Sequence, residues 1–456
     1  MTTRQFDGFN GLKSMSSRAA SWLLTLSFLL NCAKQRIRTT LADRSYWLYE
    51  YDPLGQLVSG KHYWPDGTPV AGQQFDYAFD DIGNRTSTKA GGDQNGAGLH
   101  SASYTASSLN QYTQRDVPGA ADILGIAHAQ SAVSLNGETN VYRRGEYFWK
   151  DLSINNASAA VWQSVTNQAV PTNATNTVIG NLFLPKTPET FAHDADGNLT
   201  NDRRWILTWD AENRLTKVES YSSAPTASKR RINYTYDSQS RLVRRALEDG
   251  SSGSYVLTND QKLLWNDWLC LADLNATNNT IVRSYLWGLD LSGSLQGAGG
   301  VGGLLAIGDR TSGNTTFAAY DGNGNLTALA SATDGSLSAR YEYDPFGRTV
   351  RATGPMARAN PMRFSTKRAE DSSDLAYYGY RFYSPNAGRW LNRDPLGEEA
   401  DANLSRFSRN DPGNAIDTTG LYSLFLTLHF DVPADRMPED APGVTVYSLR
   451  IPDLLT

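Results

Sequence analysis

Cysteine is nearly missing from this chain of 456 residues, and the two present, Cys32 and Cys270, stand far apart. That excludes a disulfide framework and any C-x-x-C redox or zinc motif, and leaves packing as the expected role of both. Histidine is scarce as well. The five, at positions 62, 100, 128, 193 and 429, show neither H-E-x-x-H nor any paired spacing, so neither a metal centre nor a cofactor is expected. Neither sign of charge dominates, with a formal net of −5, and no basic stripe runs along the chain. A nucleic-acid partner or an anionic membrane surface is therefore not expected. The short clusters Lys229-Arg230-Arg231 and Arg244-Arg245 read as solvated strand ends. G-x-S-x-G and G-x-x-x-x-G-K-[ST] are both absent, and the apolar run Ala19–Leu30 is shorter than the roughly 20 residues a membrane-spanning helix requires.

What the chain has instead is glycine (39), tyrosine (23) and tryptophan (11), with few long helical periodicities, which favours hairpins over helices. A short unit recurs, made of an aromatic ring, Asp, two variable residues, a small or polar turn residue and a polar one, then Leu, Arg or Thr. Its copies are Tyr51–Leu57, Phe79–Arg85, His193–Leu199, Trp209–Leu215, Tyr236–Leu242, Tyr320–Leu326 and Tyr343–Thr349, anchored on Asp52, Asp80, Asp194, Asp210, Asp237, Asp321 and Asp344. In the third copy, His193 fills the aromatic slot and reads as a stacking ring. The anchor spacings of 28, 114, 16, 27, 84 and 23 mark a degenerate repeat with insertions. Asp can accept hydrogen bonds from backbone amides just beyond it, and Gly or Asn tolerates the positive φ of a reversal, so each unit predicts a turn. Flanking runs such as Arg231–Tyr236 and Ser338–Tyr343 alternate large and polar residues with period two, as half-buried strands do. One hairpin is marginal in water, so the units are expected to stack into a continuous sheet sharing an aromatic row.

The stretch Tyr378-Gly-Tyr-Arg381-Phe-Tyr-Ser-Pro, followed by Gly388-Arg-Trp-Leu-Asn-Arg-Asp394-Pro-Leu-Gly397 and later by Asp417-Thr-Thr-Gly-Leu421, closely resembles the core that closes Rhs/YD-repeat proteins, the polymorphic-toxin and toxin-complex shells of bacteria. The resemblance implies an all-β fold, an elongated spiralling sheet of stacked hairpins enclosing a hollow, with the core segment at its C-terminal end. It also implies chemistry. Asp394 and Asp417, each opening a D-x-x-G turn, match the two aspartates of an aspartyl-protease-like centre that cuts its own chain, here between Leu421 and Tyr422, with Arg393 as the neighbour that holds or polarises them. Two carboxyl groups held close cannot both ionise, so one serves as acid while the other activates water. A tethered scissile bond supplies proximity without a bimolecular step.

The expected organisation is a degenerate repeat or signal-like N-terminus at 1–48, a repeat shell at 49–350 with insertions at 87–190 and 249–316, a core at 351–421 and a short variable tail at 422–456. Ala19–Leu30 fits either a buried strand or a secretory h-region, and Leu29-Leu-Asn-Cys32 faintly echoes a lipoprotein cleavage site. Residues 87–190 fit either a variable insertion or degenerate strands, Thr177–Leu184 being strand-like. Lys262–Leu274 and Ile281–Gly288 read as a hairpin pair around Asn275–Asn279. Gly297-Ala-Gly-Gly-Val-Gly302 has the form of a dinucleotide fingerprint but lacks the helix that should open at its last glycine; it reads as a crossing where backbones approach closely. The tail holds one histidine and no cysteine and carries no toxin active site, with two strands expected at Ser423–Phe430 and Val444–Leu449. By the resemblance, the chain is secreted or envelope-associated. Its function is then to encapsulate and present a C-terminal passenger segment, with a delivery apparatus as partner. A carbohydrate or cell-surface binding module, its exposed rings meeting glycans, and a degenerate remnant without activity are the alternatives.

Overall fold

The computed structural model describes residues 2–6, 12–19, 22–170, 175–399 and 401–425. Among these the fold is almost wholly antiparallel β. One sheet of eleven strands runs in chain order from Thr2–Phe6 to Tyr112–Arg115 and ends on Glu189–Thr190. After Phe191 alone, a second sheet of fourteen strands starts at Ala192–His193 and proceeds, again in chain order, to Thr349–Thr353. Neither sheet closes into a barrel. Among the described residues no helix is long and apolar enough to cross a membrane.

Strand alternation carries the core. Trp205, Leu207, Leu215, Val218, Ile232, Tyr234 and Leu242 are buried on successive strands, while Ile206 and Thr208 between them point outward. The seven repeat anchors build one turn over and over. In each copy the Asp Oδ1 accepts the amide of the residue four positions on, as from Gln56 at 2.8 Å, Asn84 at 2.7 Å and Arg241 at 2.9 Å. The side chain of that same residue returns to Oδ2, from Gln56, Asn84, Asn198, Arg214, Arg241, Asn325 and Arg348. The residue between, such as Gly55 at φ 81° or Ser240 at φ 63°, takes the left-handed conformation that the reversal requires. Removing an anchor orphans several amides at once. Asp237→Ala is expected to lower stability by about 1–3 kcal/mol, measured by urea unfolding, since three hydrogen bonds to that carboxylate disappear.

The aromatic residue before each anchor has a second task. The register shifts there, at Tyr51, Phe79, His193, Trp209, Tyr236, Tyr320 and Tyr343, so each of these residues sits on a bulge that bends the sheet. Where the ring carries a donor, it reaches the carbonyl just past the preceding turn: Trp209 Nε1 to Leu199 at 2.8 Å, Tyr236 Oη to Leu215 at 2.6 Å and Tyr343 Oη to Leu326 at 2.7 Å. Trp265 and Trp287 do the same, to Leu242 and Cys270, at 2.7 Å each. Both also sit where the register shifts, but no Asp follows directly on either ring.

Several sequence expectations change in consequence. Residues 249–316 are no insertion: Val256–Asn266, Leu269–Asn275, Ile281–Trp287, Leu304–Asp309 and Asn314–Tyr320 continue the second sheet in order. The Lys262–Leu274 segment is two strands, broken at Asp267, whose φ of 48° makes the turn. Within 87–190, Arg85–Gly91, Leu99–Ala106 and Tyr112–Arg115 still belong to the first sheet, and only the part beyond forms two separate three-stranded sheets, which include Asn176–Leu184. Arg231 and Arg245 are not solvated strand ends. They lie within strands and pair with Glu219 and Glu248, and with Glu370. Trp22–Leu30 is a strand of the first sheet with Leu26 and Phe28 buried, and Asn31 anchors the turn after it by accepting the Gln35 amide at 2.9 Å. Of the expected tail strands, Ser423–Phe425 is present, and residues 426–456 lie outside the described residues.

The segment after Thr353 touches every one of the seven turns. Asn410 Nδ2 donates to Gln56 Oε1 and to the Gly83 carbonyl, at 2.9 and 2.8 Å. The Leu199 amide donates to the Leu391 carbonyl, Asn392 reaches the Asn213 carbonyl, and Tyr377 Oη the Ser240 carbonyl. Asn323 donates to the Pro412 carbonyl at 2.7 Å, and Tyr383 Oη to the Phe346 carbonyl at 2.8 Å. The segment has its own aromatic centre of Phe364, Tyr378, Tyr383, Trp390 and Phe407, in which Tyr383 and Phe407 stack at 3.9 Å.

Candidate active site

Asp394 and Asp417 use the repeat's turn chemistry with one part removed. Asp394 Oδ1 accepts the Leu396 amide at 3.0 Å, and Gly397 takes φ 67°. Asp417 Oδ1 accepts the amides of Thr419 at 3.1 Å and Gly420 at 2.6 Å, and Gly420 takes φ 83°. Four positions on, however, stand Glu398 and Leu421, neither of which can return a donor to Oδ2. Both Oδ2 atoms are left for a distant partner, and they share one. Arg381 Nη2 lies 2.6 Å from Asp394 Oδ2 and 3.8 Å from Asp417 Oδ2.

Arg381 is fixed on every side. Its Nε donates to the Gly420 carbonyl, its Nη1 to the Leu404 carbonyl at 3.2 Å, and its guanidinium lies over the Trp390 ring at 4.2 Å. Asp394, Asp417 and Arg381 are all buried. Burial pushes the Asp417 carboxyl up to about 6, against the pull of Arg381 and of the Gly420 amide. Asp394 is also raised by burial, with the close Arg381 contact opposing. Lys367, equally buried, donates from Nζ to the carbonyls of Thr418 and, at 2.9 Å, Gly299.

The expected cleavage point sits in the same loop. Ala415–Asp417 pairs with Ser423–Phe425, Asp417 directly opposite Ser423, so Leu421 and Tyr422 occupy the connection that closes this hairpin. Tyr422 is exposed. Arg393 is corrected: it is half-buried and packs on the Gly197 turn, where a Cβ would meet its side chain, and Arg381 takes the position beside the carboxylates. The signal for Arg381 lay in the sequence, as a lone guanidinium inside the aromatic run Tyr377–Tyr383, which must find a partner once buried. Gly297–Gly302 is the close crossing expected of it: Gly299, at φ 59°, leaves a Cβ only 2.3 Å from the Thr418 carbonyl oxygen. Among the described residues no group of His, Cys, Asp and Glu is placed to hold a metal ion.

The family model for the RHS repeat matches residues 320–355, which hold the units anchored on Asp321 and Asp344. The chain carries an RHS repeat. Over 248 residues it is 25% identical to the tRNA3(Ser)-specific nuclease WapA of Bacillus spizizenii, a match covering 53% of this chain and 10% of that protein. It is 24% identical over 275 residues to double-stranded DNA deaminase toxin A of Burkholderia cenocepacia, covering 57% of this chain and 19% of that one. With toxin subunit YenC2 of Yersinia entomophaga it shares 39% identity over 94 residues, 20% of this chain and 10% of that subunit. Among solved structures, the TcdB2-TccC3-Cdc42 crystal structure aligns over 92% of this chain and 20% of the other, at 18% identity and a TM-score of 0.42. The RHS chain thus spans between a tenth and a fifth of the length of these relatives.

Proposed function

We propose that this RHS-repeat chain is the closing end of a toxin-type shell, which presents a passenger attached beyond its core and releases it by self-cleavage between Leu421 and Tyr422. The observation that carries the reading is the single guanidinium of Arg381 serving both carboxylates while also holding the Gly420 carbonyl of the loop to be cut. Asp394, in the closer ion pair, is the base, and Asp417, raised to about 6, is the acid. Asp394 takes a proton from water as the water oxygen adds to the Leu421 carbonyl carbon, and Asp417 gives its proton to the carbonyl oxygen. Collapse of the adduct breaks the C–N bond: the proton held by Asp394 passes to the departing Tyr422 nitrogen, and an adduct hydroxyl returns its proton to Asp417, which restores both carboxyls.

The role of a wall segment also follows from size. One cavity, lined by Tyr104, Arg115, Glu189, Arg348 and Trp390 among others, has a volume of about 590 Å³. A folded domain of about 100 residues has a radius of gyration of about 13 Å, far beyond that space. A passenger of that size would need a larger wall, to which this chain would contribute. The strand rings Trp47, Trp205, Tyr234 and Tyr341 are buried, and among the described residues no exposed aromatic row favours the glycan-binding alternative.

Expression of the chain followed by intact-mass analysis tests the cleavage. A fragment ending at Leu421 is expected from the wild type, and none from Asp417→Ala. Full-length chain in both, over several days near pH 5, would remove the self-cleavage reading.

A further inference from the structure

Among the described residues, Lys367 is an ammonium buried without a contact ion pair. It follows the turn Phe364–Thr366, its Nζ donates to two backbone carbonyls, and the Tyr378 ring lies 5.7 Å away. The carboxylates that face it are Asp417 and Asp290, felt through space. Asp290 is committed elsewhere, since its Oδ2 accepts the amides of Ala298 at 2.7 Å and Gly300 at 3.1 Å. Desolvation of an ammonium is costly, and two neutral carbonyls offset it poorly, so the charge is dear to keep for packing alone.

The two carbonyls belong to segments of opposite character. Gly299 lies in a crossing that is held fast: besides Asp290, Thr366 Oγ1 accepts the Gly302 amide at 2.8 Å and donates to the Gly324 carbonyl. Thr418 opens the loop that contains Leu421–Tyr422. One ammonium therefore fastens the loop to the fixed crossing, at a point where the glycine allows the two backbones to touch.

We propose that Lys367 is the positioning residue of the cleavage loop: its ammonium clamps the Thr418 carbonyl to the Gly299 carbonyl, and its charge biases Asp417. This rests on the self-cleavage reading. Asp417 lies between two cations, Arg381 and Lys367, both of which favour its ionised form, while Asp394 is the carboxylate on the far side of the shared guanidinium. Removing the Lys367 charge makes Asp417 hold its proton to higher pH, which moves the falling limb of the cleavage profile upward.

The test uses the full chain and three variants, Lys367→Met, Lys367→Arg and Gly299→Ala, with the rate of appearance of the Leu421-ended fragment followed from about pH 4 to about pH 8, across the titration of the dyad. Lys367→Met is expected to cleave at least about tenfold more slowly at its optimum, with the falling limb displaced upward by about one pH unit. Lys367→Arg keeps charge and donors and stays within about threefold of wild type. Gly299→Ala, which keeps the charge but pushes Thr418 away, is slowed with its limb unmoved. A Met variant that cleaves like wild type, or is slowed equally at every pH, overturns the assignment. Hydrogen exchange supplies a readout free of catalysis: the amides of residues 419–423 exchange faster in Lys367→Met than in Lys367→Arg, and equal exchange overturns the clamp. A wild type that yields no fragment while this difference persists overturns self-cleavage and not the clamp.

Discussion

Replacing Arg381 with methionine should abolish the Leu421-ended fragment and cost about 3–5 kcal/mol of stability at neutral pH, the usual result of leaving buried charge uncompensated. The size of the effect follows from exposure: Asp394 is 8% and Asp417 1% exposed, and neither has another cation in contact. The sign of its pH dependence is fixed as well. Without the guanidinium both carboxyls hold their protons to higher pH than in the wild type, and a protonated carboxyl needs no counter-charge. The destabilisation is therefore largest at alkaline pH and shrinks as pH falls through the raised values, in the same direction as the loss of an ordinary surface ion pair but in a window displaced upward from the usual carboxylate range. Chemical unfolding at about pH 8 and about pH 5 measures it. A penalty that grows on acidification would show that Arg381 does not serve these two carboxylates.

The second large effect is expected at Phe346. This ring, in the last repeat turn, is fully buried against strands of the first sheet, 4.7 Å from the Tyr77 ring and 6.4 Å from that of Phe79, with the Arg85 guanidinium 4.1 Å above it. It joins the Trp47, Leu57 and Phe75 cluster, so one side chain of the second sheet completes a core of the first. Phe346→Ala should cost about 3–5 kcal/mol through the cavity it opens. The loss is local to the join. Hydrogen exchange should rise across Leu57–Tyr63, Pro69–Phe79 and Leu337–Tyr343, while Trp205–Trp209 and Arg230–Tyr236 keep their protection. A uniform rise in every strand would contradict a core held by that ring.

The repeat was legible because its information is local. An Asp, a left-handed position and a returning side chain lie within five residues, and the seven anchors found in sequence all hold the expected turn. Rings that make the same bond without an Asp directly after them are not marked by the motif. Around Trp265 and Trp287 only the ring and its carbonyl partner are present, and that bond joins residues 23 and 17 apart, which no short motif captures. The candidate site divides in the same way. Asp394 and Asp417 announce themselves by repeating the turn, whereas Arg381 and Lys367 reach them through folded proximity. Arg393, adjacent in sequence to Asp394, was the natural choice and the wrong one: a side chain next in line points the other way, onto the Gly197 turn.

The bonds from Asn410 to Gln56 and Gly83 close loops of 354 and 327 residues. Contacts so distant along the chain are slow to form, because the ends of a very long tether must find each other before anything is gained. During synthesis the hairpins can pair one after another as they emerge, yet the strap that ties their turns together is made last. Until then the side of the turns that the strap covers stays accessible.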